Sequence, residues 1–260
     1  MWRGKAISVV LPTYNERDSI FASIMEFYDT GVVDEVIVVN NNAAPGTSEE
    51  VARTPAREVH ESVQGYGSAI QRGLQEAVGD YVVISEPDGT FSARDVFKLL
   101  AYADDFDVVY GSRTAPTLIW EGANMGWALR WGNWAVAKLM EILFNTTNLT
   151  DVGCTLRLVH RTTAQQMAPY FCAGGSQFGA EMMLLSLVHG LRVVQVPVNY
   201  LPRVGESSVT GHLGKAVHLG AVMVAMVLKF RLARWFSRTD RFGYRRPARP
   251  ERAGAERRAA

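Results

Sequence analysis

Short apolar runs alternate with amphipathic stretches through the first 112 residues. Ala6-Ile7-Ser8-Val9-Val10-Leu11 is closed by Pro12, and Val36–Val39, Tyr81–Ile84 and Asp107–Tyr110 repeat the pattern, with a weaker run at Arg57–His60. Runs this short and this uniformly apolar read as strands covered on both faces. Between them, residues 17–29 carry Ile20, Phe21, Ile24 and Phe27 at helical spacing, and residues 47–53, 66–78 and 92–103 read as further helices. Strand–helix alternation predicts an α/β fold with a mostly parallel, doubly wound sheet flanked by helices. In such a sheet ligands bind beyond the carboxyl ends of the strands. The loops expected there are Thr13–Glu16, Asn40–Asn42, Glu86–Asp88 and Gly111–Arg113.

The second half has a different texture. Residues 120–145 read as a helix on which Trp120, Trp127, Trp131 and Trp134 fall within about 60° of one another. Such a stripe serves either as core or as a surface for lipid, since tryptophan favours membrane interfaces. A helix near 176–189 carries Glu181, and Leu191–Val198 reads as a last strand. Residues 213–230 are apolar but interrupted by Lys215, His218 and Lys229. The uninterrupted part falls short of the ~20 residues that span a bilayer and suits an interfacial helix instead. Three segments follow: 1–210 as the α/β domain, 211–237 as an apolar or amphipathic helix, and 238–260 as a basic, disordered tail.

Charge changes the picture only when divided. The net charge is +1, yet residues 231–260 hold ten arginines against three acids. A basic tail on an acidic body suits an anionic surface; it also suits a solubilising tail. A nucleic-acid partner would rest on that tail alone and is not expected. Cys154 and Cys172 have no metal-ligand spacing, and no apolar leader precedes the first strand, which predicts a chain kept in the cytoplasm.

The candidate chemistry centres on Ser85-Glu86-Pro87-Asp88-Gly89. Two carboxylates one residue apart at a strand end repel unless a cation lies between them, and a divalent metal carrying a phosphate-bearing substrate meets that need. Pro-Asp-Gly is also a turn signal in its own right. Gly65 and Gly67 open a helix, where backbone can approach a phosphate or ribose.

These residues, in this order, resemble glycosyltransferase family 2, the inverting enzymes of the GT-A fold. The resemblance is carried by Val10-Leu11-Pro12-Thr13-Tyr14-Asn15-Glu16, Glu35–Val39, Gly65-Tyr66-Gly67, the acidic turn and Gly111-Ser112-Arg113. The loop from Asp151 to Arg157, and Pro197-Val198 followed by Arg203-Val204-Gly205-Glu206-Ser207, are similar to the dolichyl-phosphate mannose synthase branch. The likeness spans about residues 6–210. Where the family usually has Asp at the end of the second strand this chain has Asn40; a second Asp is replaced by Pro45, and the turn is Glu-x-Asp rather than Asp-x-Asp.

The resemblance implies transfer of a hexose from a GDP- or UDP-sugar, with Mg2+ or Mn2+ as cofactor. Asp88 would be the principal metal ligand and Glu86 the lesser one. The donor would lie against Pro12, Tyr14, Asn15, Glu16, Asn40, Asn42, Gly65, Gly67 and Pro87. A hydroxyl acceptor requires a general base, for which Asp151 or Glu181 is the candidate. A polyprenyl phosphate acceptor arrives already ionised and requires cations instead, for which Arg113, Arg130, Arg157 and Arg203 are candidates. The expected setting is the inner face of the plasma membrane. A saccharide acceptor, or nucleotide-sugar binding without catalysis, stands as the alternative.

Overall fold

The computed structural model describes residues 1–123, 126–146, 148–205 and 213–236. The expected basic tail, and Glu206 and Ser207 of the quoted motif, lie outside the described residues. The first half follows the sequence pattern closely. Strands β1 (Ile7–Thr13), β2 (Glu35–Asn40), β3 (Arg57–His60), β4 (Tyr81–Ile84) and β5 (Val108–Ser112) alternate with helices α1 (Arg17–Asp29), α2 (Thr47–Ala52), α3 (Tyr66–Glu76) and α4 (Val96–Ala103). Then come α5 (Trp127–Phe144), β6 (Arg157–His160), α6 (Arg161–Met167), α7 (Phe178–Val188), β7 (Val193–Pro197) and α8 (Leu213–Phe236).

The seven strands form one sheet in the order β3-β2-β1-β4-β6-β5-β7. Alternate side chains of β1 and β2 enter two separate cores. Val10, Ile37 and Val39 pack under α3 and α7, whereas Val9, Leu11, Val36 and Val38 pack with Ile20 and Ile24 of α1. Burial on both faces explains why these strands read as unbroken apolar runs. The chain turns outward in opposite directions from β1 and β4, so the crevice of a doubly wound sheet opens between Thr13–Glu16 and Ser85–Asp88.

One strand departs from the parallel pattern. β6 runs antiparallel to both β4 and β5, with Arg157 opposite Ile84 and Tyr110. Its leading end therefore stands at the edge where the parallel strands finish. That reversal brings the Asp151–Leu156 segment to the ligand side of the sheet.

The tryptophan helix is shorter than expected. It begins at Trp127, and Trp120 lies before it, with its indole N–H donating to Asn199 Oδ1 at 3.3 Å. Trp131 and Trp134 stay together, edge to face at 5.3 Å, and they are exposed rather than built into the core. α8 packs on α5 and α7 through Met223 and Val227 while leaving Val217, Leu228 and Leu232 exposed. No helix among the described residues is long and apolar enough to cross a membrane.

Candidate active site

The acidic turn is built from the backbone outward. Gly89 has a φ of +78°, which only glycine adopts without strain, and this lets the chain reverse after Asp88. Asp88 is wholly buried, and its Oδ1 accepts from the backbone N–H and the hydroxyl of Thr90. Its Oδ2 is buried, accepts no hydrogen bond, and lies 3.1 Å from Arg203 Nη1. Burial, and then the charge of Asp88, push the Glu86 carboxyl up to about 8. A buried carboxylate beside an acid that resists ionising, met here only by the Arg203 guanidinium, suits a place that takes a further cation. The donor set fits a divalent metal that takes one or two carboxylates from protein and the rest from phosphate and water. Among the described residues there is no group of three His, Cys, Asp or Glu able to hold a metal without such help.

Arg203 ties three loops together. Besides Asp88 it reaches Glu16 Oε1 at 3.3 Å and stands 4.0 Å from Glu86 Oε2. Its segment is stitched to the turn by backbone bonds from Val204 N to Asp88 O and from Leu201 N to Thr90 O. The other oxygen of Glu16 folds back onto the N–H groups of Tyr14 (2.7 Å) and Asn15 (2.9 Å). Tyr14, Asn15, Glu16, Glu86, Asp88 and Arg203 are thus linked at the ends of β1 and β4, where Pro12 and Pro87 also lie; Ser23 of α1 steadies the turn by donating to the Pro87 carbonyl.

The remaining arginines separate. Arg113 grips Asp151 with Nε and Nη2 at 2.9 and 3.0 Å, and its backbone N–H adds a third bond. Its guanidinium stacks 5.2 Å from the Tyr200 ring. Burial raises the Asp151 pKa, but attraction and hydrogen bonds from Arg113 outweigh it and hold the carboxylate below its ordinary range. Arg157 is buried and gives its donors to the carbonyls of Cys154, Thr155 and Gly179, beneath the Tyr110 ring. Among the described residues it braces no acid, and its guanidinium is turned into the fold rather than toward an acceptor. Arg130, in the first turn of α5, is half-buried and pairs with no carboxylate among the described residues.

Neither candidate base is free. Both oxygens of Asp151 are used, Oδ1 also accepting from the Gly153 N–H. Glu181 accepts the backbone N–H groups of Cys172 and Ala173; burial pushes its pKa up, and those bonds pull part of the way back.

The asparagine loop is also largely occupied. Asn41 makes four bonds: its amide donates to Glu61 O and Val63 O, and its oxygen accepts from Gly65 N and the Gln64 amide. Asn42, at a φ of +57°, donates to Gln64 Oε1. Gly65 and Gly67 answer to packing: a Cβ on either would collide with the carbonyls of Gly174 and Ala173, which cross over the start of α3. Sequence reasoning passed over Thr90 and Gln195, and gave Asn41 no role of its own within the Asn40–Asn42 loop. Gln195 on β7 holds the Thr150–Asp151 segment in place through both ends of its amide. A polar residue inside an otherwise apolar last strand was the available signal for it.

This sheet, with an acidic turn at its switch point, defines a GT-A-type transferase. The chain belongs to glycosyl transferase family 2, whose family model matches residues 8–167. It is 30% identical to an uncharacterized glycosyltransferase of Mycobacterium tuberculosis, over 81% of this chain and 92% of that one. It is 28% identical to the dolichyl-phosphate hexose transferase of Haloferax volcanii, over 87% of this chain and 96% of that one. Among solved structures it resembles glucosyl-3-phosphoglycerate synthase of Mycobacterium tuberculosis in complex with Mn2+, UDP and phosphoglyceric acid. That match has a TM-score of 0.68 at 20% identity, covering 88% of this chain and 79% of the other, and it shows the fold.

Proposed function

We propose that this glycosyltransferase moves a hexose from a nucleoside-diphosphate sugar to a polyprenyl phosphate, with inversion, at a membrane surface. The observation that carries this reading is the division of charged groups just described. The two carboxylates that could serve as general base, Asp151 and Glu181, are consumed by Arg113 and by backbone N–H groups. A hydroxyl nucleophile requires such a base, whereas a phosphate monoester is ionised near neutral pH and requires only to be held. Arg130 is left to hold it, together with Arg203 once the donor arrives. Arg203 stands among Glu16, Glu86 and Asp88, and a diphosphate with its metal alters the charge of that cluster more than any other ligand would.

A bound Mg2+ or Mn2+ would neutralise charge on the departing diphosphate. The chain's own part is positional. Asp88 and Glu86 hold the cation, Thr90 fixes Asp88, and the Thr13–Glu16 loop flanks the nucleotide. The exposed Trp131–Trp134 pair on α5, and separately the exposed Val217, Leu228 and Leu232 on α8, are suited to the lipid interface, where tryptophan settles with its ring half-buried. The name of the Haloferax relative supports the same acceptor class.

The test is incubation of the full chain with Mn2+ and labelled UDP- and GDP-hexoses. Polyprenyl phosphate in anionic vesicles, a free saccharide and 3-phosphoglycerate serve as separate acceptors. Label in the lipid fraction supports the reading; label only in a water-soluble product overturns it.

A further inference from the structure

Asp88 and Asp151 are both buried at the ligand edge of the sheet, and each faces an arginine. The two pairs are built differently. Arg113 meets Asp151 with two aligned donors, at 2.9 and 3.0 Å. Arg203 brings Nη1 to 3.1 Å from Asp88 Oδ2, yet the contact is not an aligned hydrogen bond. Asp88 Oδ2 and Arg203 Nε are both buried, and neither has a hydrogen-bond partner among the described residues. The bond from Arg203 Nη2 to Glu16 Oε1 is long, at 3.3 Å, and Glu86 Oε2 lies 4.0 Å from Nη1. Arg203 thus supplies charge to three acids without the directed bonds that would lock it to one. Its segment is held independently of the side chain: Val204 N donates to Asp88 O at 2.8 Å and Leu201 N to Thr90 O at 2.9 Å. The guanidinium is therefore able to leave Asp88 while the backbone that carries it stays in place.

From this we infer that Arg203 is a placeholder for the metal: its guanidinium neutralises the buried Asp88 carboxylate until a divalent cation arrives with a diphosphate, and then exchanges the carboxylates for phosphate oxygens. A guanidinium and a dication crowded on Asp88 Oδ2 repel each other, so each excludes the other. A cation arriving alone has to push Arg203 away from three acids with no anion to receive it. One arriving with a diphosphate brings the planar oxygen pair that a guanidinium binds well. Arg203 therefore makes the site take metal and diphosphate as a pair and resist bare metal. On loss of the diphosphate, Arg203 returns to Asp88 and weakens the hold on the cation. The inference rests on the metal and nucleotide-sugar reading above and adds the coupling between the two ligands.

The experiment is calorimetric titration of the full chain with Mn2+, alone and with saturating UDP or GDP, for wild type, Arg203→Gln and Arg203→Lys. Melting temperatures are recorded on the same proteins in EDTA and in excess Mn2+. R203Q should bind bare Mn2+ at least about tenfold more tightly than wild type, because no resident cation has to be moved. The factor by which UDP or GDP tightens Mn2+ binding should be about tenfold smaller in R203Q than in wild type. R203K keeps the charge and should stay within about threefold of wild type on bare Mn2+. In EDTA, R203Q should melt about 5 °C or more below wild type, since Asp88 is left buried without a counter-charge; in excess Mn2+ the gap should close to about 2 °C or less. A mere brace would lower the melting temperature equally in both conditions and leave the affinity for bare Mn2+ unchanged. Bare-metal affinity in R203Q no tighter than in wild type overturns the inference, as does a variant that stays destabilised or unfolded in Mn2+. Wild-type and R203Q chains that bind no Mn2+ even with UDP or GDP overturn the metal and nucleotide-sugar reading together with it.

Discussion

The floor and the rim of the site use the same side chain for opposite ends. On the floor, Arg113 and Arg157 are enclosed, one clamped to Asp151 and the other to three backbone carbonyls, each against an aromatic ring. On the rim, Arg203 is shared among three acids at distances from 3.1 to 4.0 Å, and Arg130 on α5, which we propose joins it, has no acid partner among the described residues. A guanidinium enclosed and bonded to fixed oxygens holds architecture, and moving it exposes an unpaired buried charge. One whose partners are divided and loosely met can exchange them when a more strongly charged ligand arrives. Position at a strand end does not separate the two kinds; whether the guanidinium serves one fixed partner set or is shared among several acids does.

This contrast is broken most severely at the centre. Replacing Asp88 with Ala removes the buried carboxylate proposed to hold the metal and should cost about 10^3-fold in metal-dependent transfer, since metal stabilisation of a leaving group is worth several kcal/mol. The check is initial rate at saturating Mn2+, with a melting curve to show that the turn persists. Full activity in that variant removes the metal assignment.

Next in size is Asp151→Asn, a floor substitution. It leaves the Arg113 charge without its partner and should cost about 3–5 kcal/mol of stability, read by denaturant unfolding. The same pair sets a pH dependence. The Asp151 pKa is depressed in the fold, so its contribution is complete above the unfolded value of about 3.9 and is lost as pH falls through the lower folded value. Wild type should therefore lose stability more steeply than D151N below about pH 4, with the two parallel above about pH 5. Loss of transfer in D151N without loss of stability would return Asp151 to the role of base.

A smaller effect is expected from Trp131→Ala/Trp134→Ala. Removing the exposed pair should weaken binding to anionic vesicles by about tenfold, measured by flotation, while the rate on a short-chain, water-soluble polyprenyl phosphate analogue stays near wild type. Equal flotation of the two proteins would show that the pair faces something other than lipid.

The same division governs what was legible in the sequence. The strands of the first half were readable because burial on both faces leaves unbroken apolar runs, and the acidic turn was readable because Pro-Asp-Gly following such a run marks its end. The antiparallel course of β6 was not readable: four residues, Arg157–His160, look alike in either direction. Nor were the partners of the arginines, because they lie far along the chain. Arg203 meets Glu16 across 187 positions and Arg113 meets Asp151 across 38. Gly65 and Gly67 suggested a phosphate because glycines before a helix often serve one; the carbonyls of Ala173 and Gly174 that fill the space come from the other half of the molecule.

The most direct test of the rim as the phosphate-handling side is hexose transfer to polyprenyl phosphate by Arg130→Ala/Arg203→Ala, with melting temperature followed on the same samples. The account predicts a fall in kcat/KM of about 10^2-fold or more, with Tm within about 4 °C of wild type. Undiminished transfer, or a loss of transfer fully explained by unfolding, would contradict it.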